Sequence, residues 1–239
     1  MIDPSPLWDF DDPAGSELRF LAAAEVCSDD DDRSVPLTQA ARALGLQGRY
    51  DEGRAILDSD LGGHPEVMAR AWLEHGRLSR SSGDLARARE EFDIAVDLAS
   101  SAGLDLVLVD ALHMVALVAG PEDQRAINEK ALRIAVDSAD PRARNWDASL
   151  LNNIGMVHSD AGDLVSALAA FEAAERARRR IGDDARTRIA RWMVAWTLRR
   201  LGRTDEALIL QGDLKAELDA AGLSDPYVDE ELTLLSEGA

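Results

Sequence analysis

Cysteine is nearly absent. Cys27 stands alone among 239 residues, which excludes a disulfide framework and any zinc site built on thiolates. Aromatic residues make up 5% of the chain, so alanine and leucine must supply most of any core, as in proteins built from helices. Lysine is scarce too, with Lys130 and Lys215 set against 24 arginines; that skew reads as GC-rich coding and points to a bacterial source. No run is long enough to span a bilayer. The most apolar stretch, 106–119, has 14 residues and is interrupted by Asp110 and His113, whereas a spanning helix needs about 20. The start, Met1-Ile2-Asp3-Pro4, has neither the basic nor the apolar region of a secretory signal. The expectation is a cytoplasmic protein with no membrane partner.

Positive charge is also short, with 45 acidic against 26 basic residues and a net charge of −19. A nucleic-acid partner is excluded on that balance, because phosphate-backbone affinity rests on Lys and Arg displacing counterions. The imbalance sits at the ends: residues 1–33 carry −8, residues 205–239 carry −9, and 34–204 only −2. Apolar residues reach 46%, which is globular composition, and the length suits one domain or one array of stacked repeats.

What is there is repetition. Glycine-centred turns occur at Gln47-Gly48-Arg49, Ser82-Gly83-Asp84, Ala119-Gly120-Pro121, Ala161-Gly162-Asp163 and Leu201-Gly202-Arg203, with spacings of 35, 37, 42 and 40. Seven residues before the glycine stands a small residue: Ala41, Gly76, Gly155 or Ala195. Five after it come Gly53, Ala88, Ala167 and Ala207, and nine after it Leu57, Phe92 and Phe171. Large and small residues at fixed offsets on two helices joined by a tight turn are what close helix packing requires.

Ala71-Trp72-Leu73-Glu74-His75-Gly76 with Gly83-Asp84-Leu85 and Phe92, and Leu150-Leu151-Asn152-Asn153-Ile154-Gly155 with Gly162-Asp163-Leu164 and Phe171, resemble the tetratricopeptide repeat. Periods of 40 and 42 exceed the family's usual 34 and are similar to the long repeats of kinesin light chain. The resemblance implies an all-α fold, a right-handed α-solenoid of about five helical hairpins (34–67, 68–103, 104–141, 142–183 and 184–224) between capping helices. The caps fall in an acidic N-terminal segment, 1–33, and a C-terminal helix and tail, 225–239. Asp12-Pro13 and Asp225-Pro226 are the helix-start signals for these caps, and the run Asp29 to Asp32 between cap and array reads as a solvated loop. The third repeat departs from the pattern: Glu122, Arg125 and Glu129 fall where an apolar, a small and an aromatic residue belong, as a register shifted by one residue would produce. In the fifth, Arg191 replaces a large apolar residue.

No motif of catalysis appears. Phosphate loops, dinucleotide fingerprints, nucleophile elbows and zinc helices are missing. His64, His75, His113 and His158 read as packed core histidines, Cys27 as a small buried apolar residue, and Arg176 to Arg180 as a cationic helix end. The expectation is a non-enzymatic protein with no cofactor and no metal.

In tetratricopeptide arrays the first helix of each repeat lines the concave side. The resemblance carried over residue by residue gives a peptide-binding set of Arg42, Arg70, Arg77, Arg80, Asn152, Asn153, Met156, Trp192, Trp196 and Arg199. Arginines suit carboxylates through their planar donor pair, the asparagines imply a clasp on peptide backbone, and Trp192 and Trp196 form an apolar wall. The residues leave alternatives open: the arginines pairing with Glu66, Glu74 or Asp110, the tryptophans packing between helices, and Asn153 holding adjacent turns together. The expected partner is a protein or peptide, its segment extended and acidic or C-terminal. The alternative is a self-assembling homo-oligomer whose acidic ends occupy the groove.

Overall fold

A computed structural model describes residues 3–237. Among them are thirteen α-helices, one 3-10 turn (Ser5–Leu7) and no strand, so the chain is all-α as its repeats imply. The helices are α1 (Pro13–Val26), α2 (Asp30–Leu46), α3 (Tyr50–Leu57), α4 (Pro65–Ser81), α5 (Leu85–Ser101), α6 (Asp105–Val118), α7 (Pro121–Asp137), α8 (Pro141–Arg144), α9 (Asp147–Asp160), α10 (Leu164–Ile181), α11 (Asp184–Arg200), α12 (Thr204–Ala220) and α13 (Pro226–Glu237). The last residues of the C-terminal tail, 238–239, lie outside the described residues, as do 1–2.

Local chemistry places the helix ends. At Gly83 (φ 95°) and Gly162 (φ 79°) the backbone takes the left-handed conformation that glycine tolerates. The following Asp84 and Asp163 then cap α5 and α10, accepting from the backbone N–H of Arg87 and Ser166. The glycine-aspartate pair is thus both stop and start signal. Asp12 caps α1 in the same way, accepting from Gly15 N–H. The run Asp29 to Asp32 is not a loop: Asp29 caps α2 through Asp32 N–H, and Asp30, Asp31 and Asp32 form its first turn. Carboxylates are favoured there by the exposed N–H groups and the positive end of the helix dipole.

The chain divides into two compact units, Met1–Ile127 and Asn128–Ala239, the division falling within α7. In the first unit α2 packs with α3 and α4 with α5, while α2, α4 and α6 lie side by side. Helix α1 covers α2, burying Phe20 and Ala24. In the second unit α9 pairs with α10 and α11 with α12, and α13 packs on both α11 and α12, burying Val228 and Leu235. Each terminal helix therefore covers the apolar end of its own unit, as stacked hairpins require.

The hairpins share one register. A small residue on the first helix stands sixteen positions before a larger one on the second: Ala41 and Leu57, Gly76 and Phe92, Gly155 and Phe171, Ala195 and Gln211. A Cβ built on Gly155 would lie 2.5 Å from Phe171 Cε1, and one on Gly76 would strike the Phe92 ring; only hydrogen fits. The anomalous third repeat follows from a turn one residue shorter. Asn128, Ala131 and Ala135 are the buried residues of α7, each one place nearer its glycine than Phe92, Ala95 and Ala99 are to theirs. Glu122 and Arg125 are exposed instead. Arg191 is 8% exposed and pairs with Glu217 of α12.

Two core assignments need correction. His64 is the N-cap of α4, half-buried, its Nδ1 accepting from Glu66 N–H, because a ring nitrogen can serve an otherwise orphaned helix donor. Cys27 lies at the C-cap of α1, half-buried, with its thiol on Ala23 O.

Candidate functional site

In the first unit the face of α2, α4 and α6 carries the arginines. Glu66, Arg70, Glu74 and Arg77 recur at spacings of four, four and three along α4, so they share one side of the helix. Arg70 pairs with Glu66 at 2.8 Å. Arg77 binds Glu74 through one arm of its guanidinium and Asp110 of α6 through the other. Glu74 is 1% exposed, and its charge is tolerable there only because Arg77 answers it. Burial alone would raise the Asp110 carboxyl, yet Arg77 and Arg42 hold it below its ordinary range. Burial lowers the Arg42 guanidinium, and Arg77 lowers it further.

Among the described residues Arg42 has no carboxylate partner. It lies against an aromatic pair from the N-terminal segment, 5.3 Å from the Trp8 ring and 5.5 Å from Phe10. The two rings stack at 4.6 Å, and Trp8 Nε1 donates to Gln39 Oε1 at 3.1 Å. Arg80 is exposed and has no ion pair among the described residues. Behind this face a cavity of about 360 Å³ is lined by Trp72, His75, Arg87 and Glu91. Its charges are mutually satisfied: Glu91 accepts from Ser79, Arg54 and Arg87.

The second unit arranges the same residue types otherwise. Trp192 and Trp196 stack at 6.1 Å, and Trp192 meets Tyr227 of α13 edge-on while donating from Nε1 to Tyr227 O at 3.2 Å. Arg199 grips Glu231 of α13 with two hydrogen bonds of 2.8 and 2.7 Å. Arg200 donates to Ser159 of α9 at 2.6 Å and lies 4.5 Å from the Trp196 ring. Asn153 is half-buried and engaged within the fold. The Asn152 side chain is half-buried with no hydrogen bond among the described residues, and Met156 and Ile189 beside it are exposed by 37% and 58%.

Asn152 opens into a cavity of about 170 Å³ lined by Ala148, Ala174, Arg178, Arg186, Ile189 and Ala190. Sequence reasoning missed Arg178 as a site residue by treating it as part of a helix end. The available signal was its phase: Arg178 falls four residues after buried Ala174 and seven after buried Phe171, on the side of α10 that faces its neighbours.

The expected binding set is therefore divided. Arg70, Arg77 and Arg199 are held by carboxylates of their own unit, Arg42 and Trp192 are held by terminal segments, and Asn152, Met156 and Arg80 stay open. Among the described residues no cluster of His, Cys, Asp or Glu has the makings of a metal site, and no helix is long and apolar enough to cross a membrane.

Residues 146–213 match the model of the tetratricopeptide repeat family. No curated protein matches the sequence. Solved structures share its fold at low identity. BtubC (BKLC) from P. vanneervenii aligns over 92% of this chain and 94% of its own, with TM-score 0.71 and 15% identity. The kinesin light chain TPR-like repeats of Podosopora anserina align over 80% and 96%, with TM-score 0.60 and 13% identity. The quorum sensor NprR from B. thuringiensis in its apo form aligns over 94% of this chain and 64% of its own, with TM-score 0.67 and 16% identity; NprR has also been solved with its cognate peptide NprX. Residues 146–213 thus carry tetratricopeptide repeats, and the whole described chain shares the helical-repeat fold of these structures.

Proposed function

We propose that the protein is a non-enzymatic, cytoplasmic interaction module that holds an extended peptide segment of a partner, acidic or C-terminal, on the first helices of its hairpins. The supporting observation is the face of α9 and α11. There the unbonded Asn152 amide stands beside exposed Met156 and Ile189, so a donor-acceptor group for peptide backbone adjoins apolar surface for an anchoring side chain. NprR, of the same fold, is known with a peptide bound, which agrees with this reading. Arg77 is not a contact in it, since its guanidinium already serves Glu74 and Asp110.

A second reading has its own observation. Glu231 and Tyr227, from the acidic C-terminal segment, engage Arg199 and Trp192 within one molecule; exchanged between copies, the same contacts would build a homo-oligomer. Mass in solution at low and high salt separates the two, a salt-independent monomer removing the oligomer. To test the module, peptides selected from a random display library are titrated against wild type and Asn152→Ala. Affinity is expected to fall at least tenfold. Undiminished binding removes the face from the site.

A further inference from the structure

Arginine is the commonest cation in this protein, and in the second unit about half of it is paired with carboxylates. Arg179 pairs with Glu175, Arg180 with Asp147, Arg186 with Asp183, Arg191 with Glu217 and Arg199 with Glu231. Arg178 differs. Its one hydrogen bond runs from Nη2 to Ser149 Oγ at 2.8 Å, which orients the guanidinium without neutralising it, and no carboxylate lies within ion-pair distance among the described residues. Burial lowers this guanidinium and the neighbouring Arg186 lowers it further, outweighing the opposing pull of Asp183 and Asp147, so a bound anion would relieve both effects.

The surroundings define what that anion is. Arg178 shares its cavity with the unbonded amide of Asn152, and the remaining walls are Ala148, Ala174, Ala190 and Ile189, with Arg186 at the edge. About 170 Å³ is close to the roughly 150 Å³ of an apolar cavity that admits benzene. It has room for one side chain and not for a cofactor. A planar guanidinium matches a planar carboxylate through two donors, the Asn152 amide adds a third, and the alanines and Ile189 suit the methylenes that carry a glutamate carboxyl.

We propose that the cavity between α9, α10 and α11 is a receptor for one carboxylate of a bound peptide, with Arg178 and Asn152 as its donors. This rests on the interaction-module reading and adds to it the acidic group and its seat. Arg178 belongs to a second helix, outside the first-helix stripe expected to hold the ligand.

The full-length protein, labelled with ¹⁵N, is titrated at low salt with N-acetylglutamate methylamide, its glutamine counterpart and N-acetylglycine, following the Arg178 Nε–H and Asn152 side-chain resonances. A saturable shift with the glutamate probe, at least tenfold weaker with glutamine and lost in Arg178→Met, is expected. N-acetylglycine separates the sources: tighter binding than the glutamate probe assigns a terminal α-carboxylate, weaker binding a side-chain carboxylate. No saturable shift, equal binding of the glutamine probe, or unchanged binding by an Arg178→Met variant whose spectrum is otherwise native would overturn the receptor. If library-selected peptides still depend on Asn152 while the probes fail, the receptor alone is wrong; if the probes bind and no peptide is selected, the module reading fails and the receptor stands.

Discussion

The two units use one cross-link and differ in what it leaves open. In the first, Arg77 reaches from α4 to Asp110 on α6, 33 residues on; in the second, Arg199 reaches from α11 to Glu231 on α13, 32 residues on. Both ties join first helices of successive positions, and each unit also lays an arginine on a tryptophan, Arg42 on Trp8 and Arg200 on Trp196. The first unit covers its face at these points and leaves Arg80 beyond them. Its tie carries a second carboxylate, Glu74, and its tryptophan arrives from outside the hairpins. The second draws its tryptophans from α11 and leaves Asn152 and Arg178 without carboxylate partners. Similar ingredients thus give a face tied by carboxylates in one place and one with unpaired donors in the other.

The largest test breaks the first tie. Arg77→Ala strands Glu74 and Asp110 in a buried setting and should cost about 3–5 kcal/mol, read as lost hydrogen-exchange protection across α4 and α6. Arg199→Ala removes an equivalent pair near the C-terminal end, and lost protection should be confined to α13 and its contacts on α11. Equal loss in both variants would mean the ties are not local. Gly155→Leu drives a side chain into the Phe171 ring and should cost on the order of 1–3 kcal/mol or more by thermal unfolding, whereas the open φ 79° turn at Gly162 would suffer backbone strain alone. Gln211 is fully buried with neither amide atom bonded. Gln211→Leu should stabilise the second unit by about 1 kcal/mol, and a loss would reveal a partner for that amide.

The smallest effect is a pH response of the first unit. Burial holds His75 and His113 below the ordinary imidazole value, against the pull of Asp58 and Asp110 respectively. Both therefore bind protons less readily folded than unfolded, so the stability they contribute falls as pH drops below about 6.5. Between pH 7 and 5.5 the thermal midpoint should fall, and His113→Gln should flatten the slope.

Much of the fold was legible because turn chemistry and packing both write in short range. Gly83-Asp84 and Gly162-Asp163 announce a stop and a cap together, and Gly76 and Gly155 announce a ring opposite. The aspartates at 29–32 misled because four like charges suggest solvent, while a helix N-terminus welcomes them equally. For the site, composition named the right arginine partners, Glu66, Glu74 and Asp110, without deciding whether pairing occurs. That decision depends on whether α6 lies beside α4, which is tertiary. Arg178 was hidden for the same reason. Nothing within five residues of it shows that Asn152 and Ile189 close the other walls.

The sixteen-residue register has a consequence for how such proteins diverge. Methyl-sized volume lost on one helix reappears on the other, so that glycine faces phenylalanine while alanine faces leucine or glutamine. Drift at either position alone is penalised, yet coordinated drift is nearly silent. Ancestry in these hairpins is therefore preserved in the sum of two residues and erased from each one separately, and comparison of single columns will keep losing sight of it.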